Sequence, residues 1–328
     1  VGERQAIEIK AQHYIPKLYL KGFTDQEGVL WVYEKFKPIR PSKPKHEAHR
    51  PDYYTHEEFG YRDEEAERTL ARIESLAAPV LKKIGNPQYE LRPEGMAALL
   101  QFVAAMFARV PNFRDFLDRL SGRIRKFLFV EEARDKQNFH SMCADYAKNI
   151  DRPLELDVEA FRQDILEGRF NLDNIPKDFS LRSMFSVAAI AQRQFKSFNF
   201  ELLYAQHGQL FVTSDAPVYT LHQDGRKHAV LGMGFGWRRS EVYFPLNKRC
   251  CLRLKRGIQS QARYIEDGHV QEINRLTMFC AGQYLYVPEK VRRTARLFDE
   301  YGCKVKPGVN AFMPHPKTED AGAKRVSR

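Results

Sequence analysis

The sequence predicts an α+β fold, with a helical layer over about residues 63–198 packed on a mostly antiparallel β-sheet built from residues 28–34 and 199–287. Two textures predict it. Between 63 and 198 apolar residues recur every three or four positions, the period of a helix with one buried face. From Asn199 onward, short runs rich in β-branched and aromatic residues alternate with Gly, Pro and Asn turn signals. A chain of 328 residues can bury a large core, and residues 1–310 are read as one α+β domain followed by a flexible, polar tail over 311–328.

The chain opens with Gln12-His13-Tyr14-Ile15-Pro16-Lys17-Leu18-Tyr19-Leu20-Lys21-Gly22-Phe23. Pro16 suits the first turn of a helix, where its missing N–H costs nothing, and Gly22 suits the left-handed position that ends one. A short helix from Pro16 to Lys21 is therefore predicted, with His13 just outside it. Gly28 to Tyr33 reads as a strand after a turn. From Lys37 to Pro51, four prolines interleave with Lys and Arg, which predicts an extended basic loop without regular structure. Within it, His46-Glu47-Ala48-His49 places its histidines one residue short of the spacing that puts two zinc ligands on one helix face, so it is not read as a metal motif.

Asp63 to Ile84 is a helix with acids at its start, Lys82 and Lys83 at its end, and Glu67 and Glu74 on the margin of its apolar stripe. A second, centrally buried helix opens at Pro93 and carries Arg109 just ahead of Pro111. Helices follow over Asn112–Val130, Glu131–Lys148, Asp157–Glu167 and Ser180–Phe198. Phe200–Tyr204 and Gln209–Thr213 then read as a hairpin across His207-Gly208, running into Ser214-Asp215-Ala216-Pro217. Gly232-Met233-Gly234-Phe235-Gly236 is taken as a flexible loop, because a strand rather than a helix follows it. Strands at Glu241–Phe244 and Cys250–Leu254, a helix at Gly268–Ala281, a strand at Gln283–Val287 and a helix at Glu289–Tyr301 complete the order.

Charge gives the widest functional hint. With 53 basic and 42 acidic residues the formal net charge is +11, an excess that attracts phosphate polyanions. Between Glu241 and Glu266, six cations including Lys248, Arg249, Arg253 and Arg256 meet no acid in the sequence. Five cysteines without a C-x-x-C pair read as reduced packing thiols. No apolar run reaches the roughly 18 residues of a membrane span, and the first ten residues show no apolar signal core, so a cytoplasmic protein with no membrane partner is expected.

His13-x-x-Pro16 with Tyr19-Leu20-x-x-Phe23, the Glu-bearing helix, Arg109-x-Pro111 and Ser214-Asp215-x-Pro217 occur together and in this order. In them the chain resembles the bacterial domain-of-unknown-function family numbered four-two-three-eight, over most of its length from about Gln12 to Val287. The resemblance implies a bacterial, cytoplasmic protein from a mobile or phage-defence neighbourhood, with a partner protein from the same operon, and brings no activity with it.

The residues themselves leave three readings. His13, Glu74, Arg109 and Asp215 could form a phosphodiesterase site in which His13 is the acid or base, Asp215 orients its imidazole and Arg109 stabilises the transition state. Substrate would lie along Ser214, Glu67, Lys248, Arg249, Arg253 and Arg256. No cofactor is called with certainty; a divalent cation could bind Asp215 and Glu74 with His13 as a third ligand. This reading is a nuclease, with RNA favoured over DNA. The second is a non-catalytic nucleic-acid or protein-binding module in which the same residues bolt the β-region onto the helices. The third is a nucleotide hydrolase or transferase with a pocket around Gly232–Gly236.

Overall fold

The protein is described from a computed structural model, which covers residues 11–58, 61–149, 156–169, 177–206, 208–222, 240–303 and 313–314. In chain order the strands and helices are β1 (Ala11–His13), α1 (Lys17–Leu20), β2 (Leu30–Glu34), β3 (Arg40–Ser42), β4 (His49–Pro51), β5 (His56–Glu58), β6 (Tyr61–Asp63), α2 (Glu65–Lys83) and α3 (Pro93–Arg109). Then come α4 (Pro111–Arg134), α5 (Lys136–Asn149), α6 (Val158–Leu166), α7 (Lys177–Phe195), β7 (Asn199–Ala205), β8 (Thr213–Ser214), β9 (Tyr219–His222), β10 (Ser240–Asn247) and β11 (Cys250–Lys255). The last are β12 (Gln261–Ile265), α8 (Asp267–Cys280), β13 (Tyr284–Val287), α9 (Arg292–Tyr301) and β14 (Met313–Pro314). The α+β class holds. The chain divides into two compact units, Asp115–Ser180 and the remainder. The glycine loop Gly232–Gly236 and the tail, apart from Met313 and Pro314, lie outside the described residues.

In the larger unit a six-stranded sheet runs β12-β7-β11-β10-β9-β14 and a four-stranded sheet runs β3-β2-β13-β8. Every residue of β10 is buried, which makes it the heart of the larger sheet. The expected hairpin of 200–204 with 209–213 does not form. β7 pairs antiparallel with β11 and parallel with β12, while Thr213 and Ser214 join the other sheet beside β13. Sequence neighbours are common strand partners, but here the β10–β11 hairpin offers a longer ladder to β7, with six residue pairs in register. The proline-rich basic segment also holds more order than expected. Pro41 sits in β3, an edge strand on β2, where a missing N–H is tolerated, and His49–Pro51 forms β4 against β1.

α3 is buried from Leu99 through Arg109 except at Gln101, as its nearly all-round apolar sequence requires. Among the described residues no single helix is long and apolar enough to cross a membrane. The short opening helix packs against the strand that leads into Asp215. The Tyr19 hydroxyl donates to the Pro245 carbonyl at 2.6 Å, so its 2.7 Å bond with Thr213 Oγ1 must have Thr213 as donor. The Tyr19 ring stacks on Phe244 with 5.0 Å between centroids. Gly22 serves a different purpose from the one its position suggested. It lies inside a 3₁₀ turn (Lys21–Phe23) and not in the left-handed region; instead, a Cβ there would come within 2.9 Å of the Asn247 Cβ. Close approach to the β10–β11 turn is what demands glycine.

The smaller unit is helical. Ala133, Phe139, Cys143 and Ile165 form its core, and Arg162 Nη1 donates to the Ala133 carbonyl at 2.8 Å. Asp157 caps α6 by accepting from the N–H groups of Glu159 and Ala160, the cap its sequence predicts.

Candidate functional site

Arg109 ends α3 and is 3% exposed. Each of its three nitrogens is bonded: Nη1 to Glu74 Oε1 at 2.7 Å, Nη2 to the His13 carbonyl at 2.7 Å, and Nε to the Tyr54 hydroxyl at 2.9 Å. Its own carbonyl accepts from the Tyr53 hydroxyl at 3.1 Å. Burial alone would lower the Arg109 pKa, but the Tyr54 and Glu74 partners reverse that, and the net direction is upward. Three of the predicted residues therefore do meet, but His13 contributes its backbone oxygen and not its imidazole. Gln12 completes the clamp from the inner face of β1. It accepts from Tyr54 N–H and donates to Thr55 Oγ1 at 2.8 Å and to Glu67 Oε2 at 2.7 Å. Glu67 and Glu74 on α2 thus hold the opening strand in place.

Asp215 is not part of that constellation. Its carboxylate accepts from Gly282 N–H at 2.7 Å and Gln283 N–H at 2.8 Å, tying the end of β8 to the entry of β13. Burial pushes its pKa up to about 6, while those backbone donors pull in the opposite direction. Ser214 is fully buried and its Oγ accepts from Ala216 N–H at 3.2 Å, closing the same turn. The expected His13–Asp215 pair is therefore absent, because both carboxylate oxygens are spent on the backbone and the His13 ring bonds elsewhere. The Asp215–Glu74–His13 cation site fares no better: among the described residues, no three His, Cys, Asp or Glu gather where they could hold a metal ion.

The predicted substrate-binding cations also acquire partners. Arg253 Nη1 bonds Glu201 at 2.8 Å and its Nη2 bonds Glu241 at 2.8 Å, while Arg263 and Lys255 take the remaining oxygens of those two buried acids. The sequence shows no acid near them because Glu201 and Glu241 arrive from the neighbouring strands β7 and β10. Lys248 donates to the Thr24 carbonyl at 2.7 Å, and the Arg256 guanidinium lies over the Phe198 ring at 3.8 Å. Arg249 is exposed beside the turn capped by Asn247.

A cluster of accessible cations lies near the start of the chain. A groove of about 780 Å³ is lined by Lys17 of α1, Lys21 of the 3₁₀ turn that follows it, Lys43 and Lys45 of the segment between β3 and β4, and Glu27 and Glu74. All four lysines are exposed, and Glu74 is already neutralised by Arg109. The His13 ring sits beside this groove, with Nε2 3.2 Å from the Lys45 carbonyl, so Nε2 carries the proton. Across the β1–β4 ladder His13 faces His49, with 5.2 Å between ring centroids. Burial, with added repulsion from Lys17, His49 and Arg109, lowers the His13 pKa to about 4, against a partial rise from the Lys45 carbonyl. His49 entered the sequence reading only within the rejected zinc motif, and the groove lysines were not singled out. The i,i+4 spacing of Lys17 and Lys21, on one face of a helix, was the available signal.

This placement gives a pH prediction. Because folding holds His13 below its ordinary value of 6.5, the unfolded chain binds the proton first on acidification, and stability is lost between pH about 6.5 and about 4. Asp215, raised to about 6, works in the opposite direction over the same range. His13→Gln should therefore melt progressively higher relative to wild type as the pH falls from 7 to 4.5. A constant difference across that range would show that the imidazole is not held neutral.

The fold and the clamp are those of a chain whose signature residues join its first strand to its helices. The chain belongs to the family described as "Protein of unknown function (DUF4238)", which it matches over residues 11–290. No curated protein and no solved structure matches it.

Proposed function

We propose that this protein binds the phosphate backbone of nucleic acid, RNA in particular, in the groove between α1 and the Lys43–Lys45 segment. The observation that carries the reading is the placement of Lys17, Lys21, Lys43 and Lys45 around one groove, on a chain of formal charge +11. Four ammonium groups on a concave surface match a run of phosphates, and each phosphate neutralised releases condensed counterions. The residues first assigned to catalysis support a binding reading over the original nuclease arrangement. Arg109 is buried with each of its nitrogens bonded inside the protein, and both Asp215 carboxylate oxygens accept backbone N–H groups, which favours structural roles for the two.

The test is a fourfold Lys→Gln variant at 17, 21, 43 and 45, measured for affinity to single-stranded RNA against salt concentration. The slope of log Kobs on log salt should fall in magnitude by about 3, at roughly 0.7 for each lost phosphate contact. The melting temperature should hold, because all four side chains are exposed. An unchanged salt slope would refute the groove as the binding site.

A further inference from the structure

We infer that His13 and His49, paired beside this groove, cleave the RNA it binds through attack of a ribose 2′-hydroxyl on the adjacent phosphodiester. The inference takes its substrate from the groove reading, and rests for its chemistry on the geometry of the two rings.

Antiparallel partners in a ladder carry side chains on the same face. His13 and His49 are such partners, and Gln12, one residue earlier, points the other way into the clamp with Thr55 and Glu67. The two imidazoles therefore share the outer face of the β1–β4 ribbon, 5.2 Å apart at 53°. Their settings differ. His13 is partly buried, and its Nε2–H is fixed on the Lys45 carbonyl, which leaves the Nδ1 lone pair as its reactive atom. Burial keeps that ring neutral, as a base must be. His49 is exposed to solvent. Lys45 links the pair to the groove, since its backbone orients His13 while its side chain lines the cavity, and the Lys17 ammonium is close enough to act on the His13 ring.

In the step this arrangement performs, His13 Nδ1 takes the proton of the 2′-hydroxyl as that oxygen bonds to phosphorus. The bond from phosphorus to the 5′-oxygen breaks, and that oxygen leaves with a proton from the His49 imidazolium. The products are a 2′,3′-cyclic phosphate and a 5′-hydroxyl, with His13 protonated and His49 neutral until solvent exchange resets them. The lysines stabilise the charge that gathers on the non-bridging oxygens. Deoxyribose has no 2′-hydroxyl, so DNA is bound without being cut.

The experiment incubates the purified full chain with end-labelled single-stranded RNA and with its all-deoxy counterpart, in EDTA, while a gel shift reads binding in parallel. Expected are RNA fragments ending in 2′,3′-cyclic phosphate, intact DNA, and loss of cleavage by about 100-fold or more in both H13Q and H49Q, with the RNA shift retained. His49 is exposed, so H49Q decides the matter if H13Q fails to fold. Wild-type protein that shifts RNA yet leaves it whole would overturn the inference and spare the groove. Wild-type cleavage rates in H49Q, or equal cutting of DNA, would overturn it as well. Absence of any RNA shift would remove the groove reading itself.

Discussion

Replacing Arg109 with methionine should destabilise the protein by about 3–5 kcal/mol, the range for removing one partner of a buried ion pair. The substitution keeps the volume of the side chain but takes the guanidinium from the Glu74 carboxylate, and leaves the Tyr54 hydroxyl and the His13 carbonyl with only their 3.4 Å bond to each other. Lysine is no rescue, since a single ammonium cannot reach three acceptors held in the planar fork that arginine presents. The measurable result is a melting temperature lower by on the order of 10 °C. Glu74→Gln should cost less, because Glu74 is partly exposed and its amide oxygen can still accept from Arg109. The outcome separates two roles. A cation kept for substrate would leave the fold intact when replaced, whereas a clamp takes the opening strand with it. Because β1 carries His13, loosening this clamp should also lower the proposed RNA cleavage, which makes that step depend on a residue that does not line the groove.

The helices were the most legible part of the sequence. Pro93 marks the start of α3 and Asp157 caps α6, both local signals that need no knowledge of the rest of the chain. Strand pairing was less legible because its partners are remote: β7 was expected to meet the segment right after it, and instead meets β11 some fifty residues on. The same distance effect hid the ion pairs on the sheet. Arg253 looked unopposed in sequence, yet Glu201 and Glu241 lie beside it in the ladder.

Selecting His13, Glu74, Arg109 and Asp215 found residues that matter to the fold, while their roles could not be read. A sequence shows which side chain is present but not that a neighbour will use its backbone carbonyl, as Arg109 uses that of His13. The proline-rich basic segment was the larger oversight. Its prolines argued for irregular structure, but Pro41 and Pro51 occupy strand positions where a ladder bond is not required of them, so the segment presents Lys43, Lys45 and His49 in fixed places.

Asp215→Ala should cost about 1–3 kcal/mol, because it takes the carboxylate acceptor from the part-buried Gly282 and Gln283 N–H groups, at roughly 0.5–1.5 kcal/mol each. Asp215→Asn should fall between, since its amide oxygen satisfies one N–H while its NH₂ faces the other donor-to-donor. The pH dependence gives a second, independent mark. The folded carboxyl titrates near 6, above its ordinary 3.8, so the stability it contributes is complete below 3.8 and declines as the pH rises through 6. The deficit of the alanine variant relative to wild type should accordingly be larger at pH 4.5 than at pH 8, in thermal melts at matched ionic strength. An equal deficit at both would mean that Asp215 is not desolvated in the fold. The position of the two N–H groups makes the effect regional as well as global. They lie where β13 begins, and β13 pairs with both β2 and β8, so amide exchange should quicken first along Tyr284–Val287 and its two neighbours while α2 and α3 keep their protection.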